Sequence, residues 1–201
     1  SATPAEAWRG DVGTGASSSR SLLATPVIAD GRIFAMDADS HVAALDERTG
    51  RQLWRIDTKP EKERGGASGG GVAYADGRVF AATGFGEVVA LDPANGSIIW
   101  RKRVPGPVRG APAVEGGRVL VLTLDNQLSA LSASDGAVQW SHQGILETAG
   151  LLGAVSPAAS PTLIVAPYSS GELYGLRPEN GRVAWQESLA AIRRSGALSS
   201  L

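Results

Sequence analysis

Residues that could do chemistry are few and scattered. Gly66-Ala67-Ser68-Gly69-Gly70 matches G-x-S-x-G, but a nucleophile elbow needs a strand, a sharp turn and then a helix. Downstream, Val72-Ala73-Tyr74 is strand-like, so the segment reads as a flexible loop. Asp37-Ala38-Asp39 begins like an acidic calcium loop, yet Val42 and Arg48 stand where that loop needs Gly and Glu. It reads instead as a solvated turn. His41 and His142 are the two histidines and have no ligand-spaced partners, which argues against zinc or histidine-based catalysis. Gly84-Phe85-Gly86 lacks the third Gly and the following helix of a dinucleotide fingerprint. Asn95-Gly96-Ser97 is formally a glycosylation sequon, but it is also a turn, and the turn suffices. Lys59 to Arg64 and Arg101-Lys102-Arg103 read as solvated charge. No residue is singled out as catalytic, cofactor-binding or metal-binding.

Composition narrows the classes further. The chain has 201 residues, with Lys+Arg 19 against Asp+Glu 20 and a net charge of −1. That balance carries no electrostatic footprint for nucleic acid or an anionic membrane. With Cys 0, disulfides, thiolate metal sites and cysteine nucleophiles are excluded. No run of apolar residues is long enough to span a bilayer, and no basic-then-apolar segment opens the chain. The expectation is a cytosolic chain, or a processed or trimmed piece of an exported one.

The elements that must position any site repeat four times. Leu45, Leu91, Leu131 and Leu176 each stand nine residues before a Trp, namely Trp54, Trp100, Trp140 and Trp185. Gly50, Gly96, Gly136 and Gly181 each stand four residues before the same Trp. Each unit reads as a β-hairpin whose turn ends in a Gly of positive φ. Upstream, turns such as Asp30-Gly31-Arg32, Asp76-Gly77-Arg78 and Gly116-Gly117-Arg118 mark a second hairpin; in the fourth copy Ser160-Pro161-Thr162 replaces the Gly turn. Each repeat thus supplies four antiparallel strands, A to D. Four-stranded units of this length, radially repeated, are propeller blades, so the expected fold is an all-β propeller of four blades. The four Trp and four Gly read as structural, the Trp filling the wedge between diverging blades. Trp8 is the fifth Trp, and Glu6-Ala7-Trp8-Arg9 looks like a D strand without its A to C strands.

Strand alternation puts A–B and C–D turns on one rim and B–C and D–A connections on the other. The first set is stereotyped and the second varies: Thr58 to Ser68 is charged, and Ser141 to Val155 is mostly apolar. The variable rim is therefore the expected functional face. On it, Leu151-Leu152 either tucks under a blade edge or forms an exposed apolar contact patch.

Ala90-Leu91-Asp92 through Trp100 resembles the repeat of PQQ-type propellers. Within that superfamily the chain is similar to the BamB family of outer-membrane assembly lipoproteins over nearly all its length. The likeness includes Ala7-Trp8 with Asp11-Val12-Gly13-Thr14-Gly15, the Asp125-Asn126-Gln127-Leu128 turn, and Leu151-Leu152-Gly153 ahead of Ser156-Pro157. The resemblance implies an eight-bladed ring behind a lipidated Cys and a short tether. The chain would then be its first four blades, near 20–57, 65–104, 108–143 and 150–190. Residues 1–15 would close a missing blade, and 191–201 would lead into another.

The resemblance also implies a non-enzymatic periplasmic scaffold, held at the outer membrane by a lipid anchor absent from this chain. It would bind the POTRA domains of BamA, with Leu151 and Leu152 as contacts. Relatives can carry Arg where Leu152 stands, so a charged contact is lost at that position. No cofactor, nucleic acid or direct membrane insertion is expected. Two other readings stay open. A PQQ-dependent dehydrogenase uses an adjacent-cysteine disulfide and calcium ligands, against which the lack of cysteine weighs; a generic periplasmic ligand-binding propeller is the third class. Open propeller ends lead to the expectation of a homodimer, or else of a monomer whose blades close early into a four-bladed ring.

Overall fold

A computed structural model of the chain describes residues 5–15, 24–63, 69–145 and 155–188. The described residues hold sixteen strands in four antiparallel sheets of four, each sheet in simple chain order. Sheet one comprises β1 (Val27–Ala29), β2 (Arg32–Met36), β3 (His41–Asp46) and β4 (Gln52–Asp57). Sheet two comprises β5 (Gly70–Ala75), β6 (Arg78–Thr83), β7 (Glu87–Leu91) and β8 (Ile98–Arg103). Sheet three comprises β9 (Ala113–Glu115), β10 (Arg118–Leu122), β11 (Gln127–Ser132) and β12 (Val138–Gln143). Sheet four comprises β13 (Ala158–Ala159), β14 (Ile164–Pro167), β15 (Glu172–Leu176) and β16 (Val183–Ser188). The first strands adjoin in order, β5 beside β1, β9 beside β5 and β13 beside β9. This is the all-β propeller arrangement that the repeats led us to expect. Among the described residues no helix is long and apolar enough to cross a membrane.

There is no single core. Three apolar layers lie between successive sheets, because β2, β3, β6, β7, β10 and β11 bury side chains on both faces. Phe34, Val42 and Trp54 of sheet one meet Val79, Ala81 and Leu91 of sheet two. From the opposite face of sheet two, Phe80, Val88 and Trp100 meet Val119, Val121 and Leu131 of sheet three. Leu120, Leu122 and Leu128 then meet Ile164, Tyr174 and Leu176 of sheet four.

The Leu–Gly–Trp spacing has a direct structural cause. Ala44, Ala90, Ala130 and Gly175 pair with Trp54, Trp100, Trp140 and Trp185, and each pairing is followed by a register shift before the buried Leu. At Trp54, Trp100 and Trp140 the ring reaches the following sheet. Trp54 lies against Gly96, Trp100 against Gly136 and Trp140 against Gly181. Each indole N–H donates to the carbonyl of the residue three before that Gly: Trp54 to Pro93 at 2.9 Å, Trp100 to Ala133 at 3.0 Å, Trp140 to Pro178 at 2.9 Å. Trp8 does the same to sheet one, lying against Gly50 and donating to the Glu47 carbonyl at 2.9 Å.

Two local expectations need correction. No strand forms around Trp8; residues 5–15 are irregular, because a strand needs a paired neighbour and none of the described strands pairs with them. The indole docks as a D-strand Trp would, without the strand. Trp185 differs from its counterparts as well: it is 39% exposed and its ring folds over Gly175 of its own sheet. In the fourth repeat, Ser160 takes the place of the missing Gly turn, its Oγ accepting from the N–H of Leu163 at 3.1 Å.

Candidate functional site

The B–C turns form one rim together with the segments that leave each last strand. All four turns share one backbone frame. The residue before the re-entering strand has positive φ: Ser40 at 68°, Gly86 at 75°, Asn126 at 59° and Gly171 at 84°. Its carbonyl also receives the departing chain, from Thr58 N at 3.2 Å, Val104 N at 2.9 Å and Gly144 N at 2.8 Å in sheets one to three. The D–A connections are thus held at their start by the turns beside them.

In sheet one this corner is built around Asp37, whose side chain is wholly out of solvent. Its Oδ1 accepts from the backbone N–H of Asp39 at 2.9 Å and of His41 at 2.8 Å. Its Oδ2 accepts from Thr14 N at 3.0 Å and Arg55 Nη2 at 2.9 Å, and His41 Nδ1 stands 3.0 Å away. The solvated turn read from the sequence is therefore a buried anionic hub. The cause is the segment Asp11–Gly15, which returns across the turn and pairs Ala38 N with Thr14 O at 3.0 Å. Burial pushes the Asp37 carboxyl up. The N–H groups of His41, Thr14 and Asp39 and the nearby His41 outweigh it, so the group sits below its ordinary value.

Between sheets one and two the rim is charged. Arg101 donates to the Thr58 carbonyl at 3.0 Å and pairs with Glu87. Glu63 and Arg103 stand 3.7 Å apart, and Lys59 lies over the Phe85 ring at 5.6 Å. Of these groups Lys59, Glu63 and Arg101 line, with Asp57, Pro60, Glu61 and Ile98, an open groove of about 500 Å³. The charges are more engaged than solvated runs would be, although exposed pairs of this kind contribute little to stability.

Between sheets three and four the rim is polar and aromatic. His142 Nδ1 stands 2.7 Å from the Tyr168 hydroxyl, and Tyr174 packs on both rings. Burial pushes the His142 imidazole down and the Tyr168 phenol up. Asn126, buried beside them, is the residue that a reading by residue type passes over. Its signal was the positive-φ position, occupied elsewhere by Ser or Gly.

Leu151 and Leu152 lie outside the described residues, as do Gly66 to Ser68 of the G-x-S-x-G match. Among the described residues no three His, Asp or Glu side chains gather where a metal could be held.

A family model described as outer membrane protein assembly factor BamB matches residues 1–64 and 38–201. The outer membrane protein assembly factor BamB of Nitrosomonas eutropha is 32% identical over 86% of this chain and 40% of its own length. The crystal structure of BamB from Moraxella catarrhalis superposes with a TM-score of 0.68 at 19% identity, covering 87% of this chain and 51% of that one. The quinohemoprotein alcohol dehydrogenase of Comamonas testosteroni superposes at 0.69 with 20% identity over 84% of this chain and 35% of its own, a likeness of fold alone. The chain spans about half the length of the relatives it matches, or less. The family model spans the chain, and the chain belongs to the family of the outer membrane protein assembly factor BamB.

Proposed function

We propose that the chain is a non-enzymatic scaffold of outer-membrane protein assembly, working in the periplasm at the outer membrane. Its B–C/D–A rim binds the POTRA domains of BamA, and Leu151 and Leu152 supply apolar contacts. The observation that carries this reading is the family match over residues 1–64 and 38–201. The rim adds support: its turns repeat one backbone frame, while the connections they hold differ in charge and polarity, as a rigid display of binding loops requires.

The test is binding of isolated POTRA domains to the full chain by interferometry. Leu151→Ala with Leu152→Ala should weaken binding roughly tenfold, the usual loss for central apolar anchors, with the melting temperature unchanged. A lowered melting temperature with intact affinity would make the two leucines core residues and remove them from the site.

A further inference from the structure

The groove between sheets one and two has defined walls. One wall is the chain leaving β4. Thr58 is wholly buried, and both its N–H and its hydroxyl donate to the Ser40 carbonyl. Lys59 N donates to Asp57 Oδ1 at 2.8 Å, and Glu63 N closes a turn on the Pro60 carbonyl at 3.0 Å. From the opposite wall, Arg101 of β8 donates to the Thr58 carbonyl at 3.0 Å. The wall is thus held in one shape before anything binds, which lowers the ordering cost of an interface.

Charge and apolar surface define what fits. Both lining cations are engaged within the walls, Arg101 with Glu87 and Lys59 over the Phe85 ring. The carboxylates are more open to solvent. The side chains of Asp57 and Glu63 are 58% and 42% exposed, and Glu63 stands 3.7 Å from an exposed Arg103. A pair of that kind holds weakly, and Glu61 forms no ion pair among the described residues, so the lip stays anionic. By contrast, the chain leaving sheet two, Val104 to Pro112, has Arg109 as its one charged residue. Ile98 lines the groove at 43% exposure on the edge strand of its sheet, next to Ile99 at 45%. The matching pairs before the other Trp residues are Gln52-Leu53, Val138-Gln139 and Val183-Ala184, so sheet two alone sets two large apolar residues there. Exposed apolar residues on an edge strand are a liability that a covering partner removes.

We infer that this groove is a docking surface for an extended segment of a partner protein in which Lys or Arg alternates with apolar residues. Its volume of about 500 Å³ suits a short stretch of chain rather than a folded domain. Successive side chains of an extended chain point to opposite sides, so one set meets Ile98 and Pro60 while the other reaches Asp57, Glu61 and Glu63. Opposite charge at the lip steers the segment in and fixes its register. The surface is separate from Leu151 and Leu152 and does not depend on their role.

The probe is a short fluorescent peptide of alternating Lys and Val, titrated with the full chain at low salt and followed by anisotropy. Binding should weaken about tenfold for Glu61→Lys with Glu63→Lys and about fivefold for Ile98→Ser, each with an unchanged melting temperature. It should fade with added salt, as exposed charge contacts do. Leu151→Ala with Leu152→Ala should leave it unchanged, whether or not that pair serves POTRA binding. Absence of binding, or binding that the groove variants leave intact, overturns the inference. So does equal binding of a peptide of alternating Glu and Val, which removes the charge match, or of spermidine, which removes the need for a protein segment. A dimer in light scattering that Glu61→Lys with Glu63→Lys dissolves would make a second copy the occupant and overturn the foreign partner. Should the double reversal lower the melting temperature, Glu61→Gln with Glu63→Gln is held to the same outcomes.

Discussion

The indole of Trp54 lies against Gly96 of the following sheet and donates to the Pro93 carbonyl at 2.9 Å. A Cβ on Gly96 would stand 2.7 Å from Cε3 of that ring, and the residue has φ 76°. Gly77 has φ 69° with nothing within 4 Å of such a Cβ. Gly77→Ala should therefore cost only the backbone strain, about 1 kcal/mol. Gly96→Ala should cost about 3 kcal/mol, because overpacking at the Trp adds to the strain. Urea melts of the two variants check this; equal losses would mean that the ring moves aside freely.

The Trp residues should not be equivalent. Trp100 is 8% exposed, with its ring tilted 44° to that of Phe80 at 6.0 Å, and Trp100→Ala should cost roughly 3–5 kcal/mol. Trp185 is 39% exposed, and Trp185→Ala should cost about 1 kcal/mol, since much of its surface already meets water. Denaturant midpoints in this chain test the ranking, and a reversed order contradicts it.

Asp37 should matter more than its place in a turn suggests. Asp37→Asn leaves Arg55 and the Thr14 N–H facing a neutral group and should cost on the order of 3 kcal/mol. Because the carboxyl lies below its ordinary value when folded, its contribution is complete above about pH 4 and is lost as pH falls below that. Stability measured from pH 6 to pH 3 should fall more steeply for the parent than for Asp37→Asn. Parallel curves would mean the carboxylate contributes nothing when ionised.

His142 carries a second acid dependence in a different range. Burial depresses its folded value, so the neutral ring is the form that fits between Tyr168 and Tyr174. Its contribution is complete above about pH 6.5, the unfolded value, and is lost as pH falls through the lower folded one. Melting temperature between pH 7.5 and pH 5 should therefore drop more in the parent than in His142→Gln. Identical drops would place the titration elsewhere.

What the residues alone determine here is local. A turn that needs positive φ shows its Gly, a buried pairing shows its Leu, and the fixed distance from Leu45 to Trp54 shows the hairpin between them. Those constraints act over ten residues and leave a periodic trace, so sheet content, strand order and the propeller were legible. Contacts between distant segments leave no such trace. Trp54 belongs to one sheet by sequence and to Gly96 of the next by contact, and only packing reveals that ownership. Asp37 reads as an exposed turn residue until Thr14, 23 positions away, folds back over it. Asn126 sits in a turn that resembles the family's, yet its side chain bonds to Ile145 and Ser169, brought to it from two different strand ends. Burial and hydrogen-bond satisfaction are properties of the assembled surface, and no spacing rule encodes which backbone group will need a partner once the sheets have met.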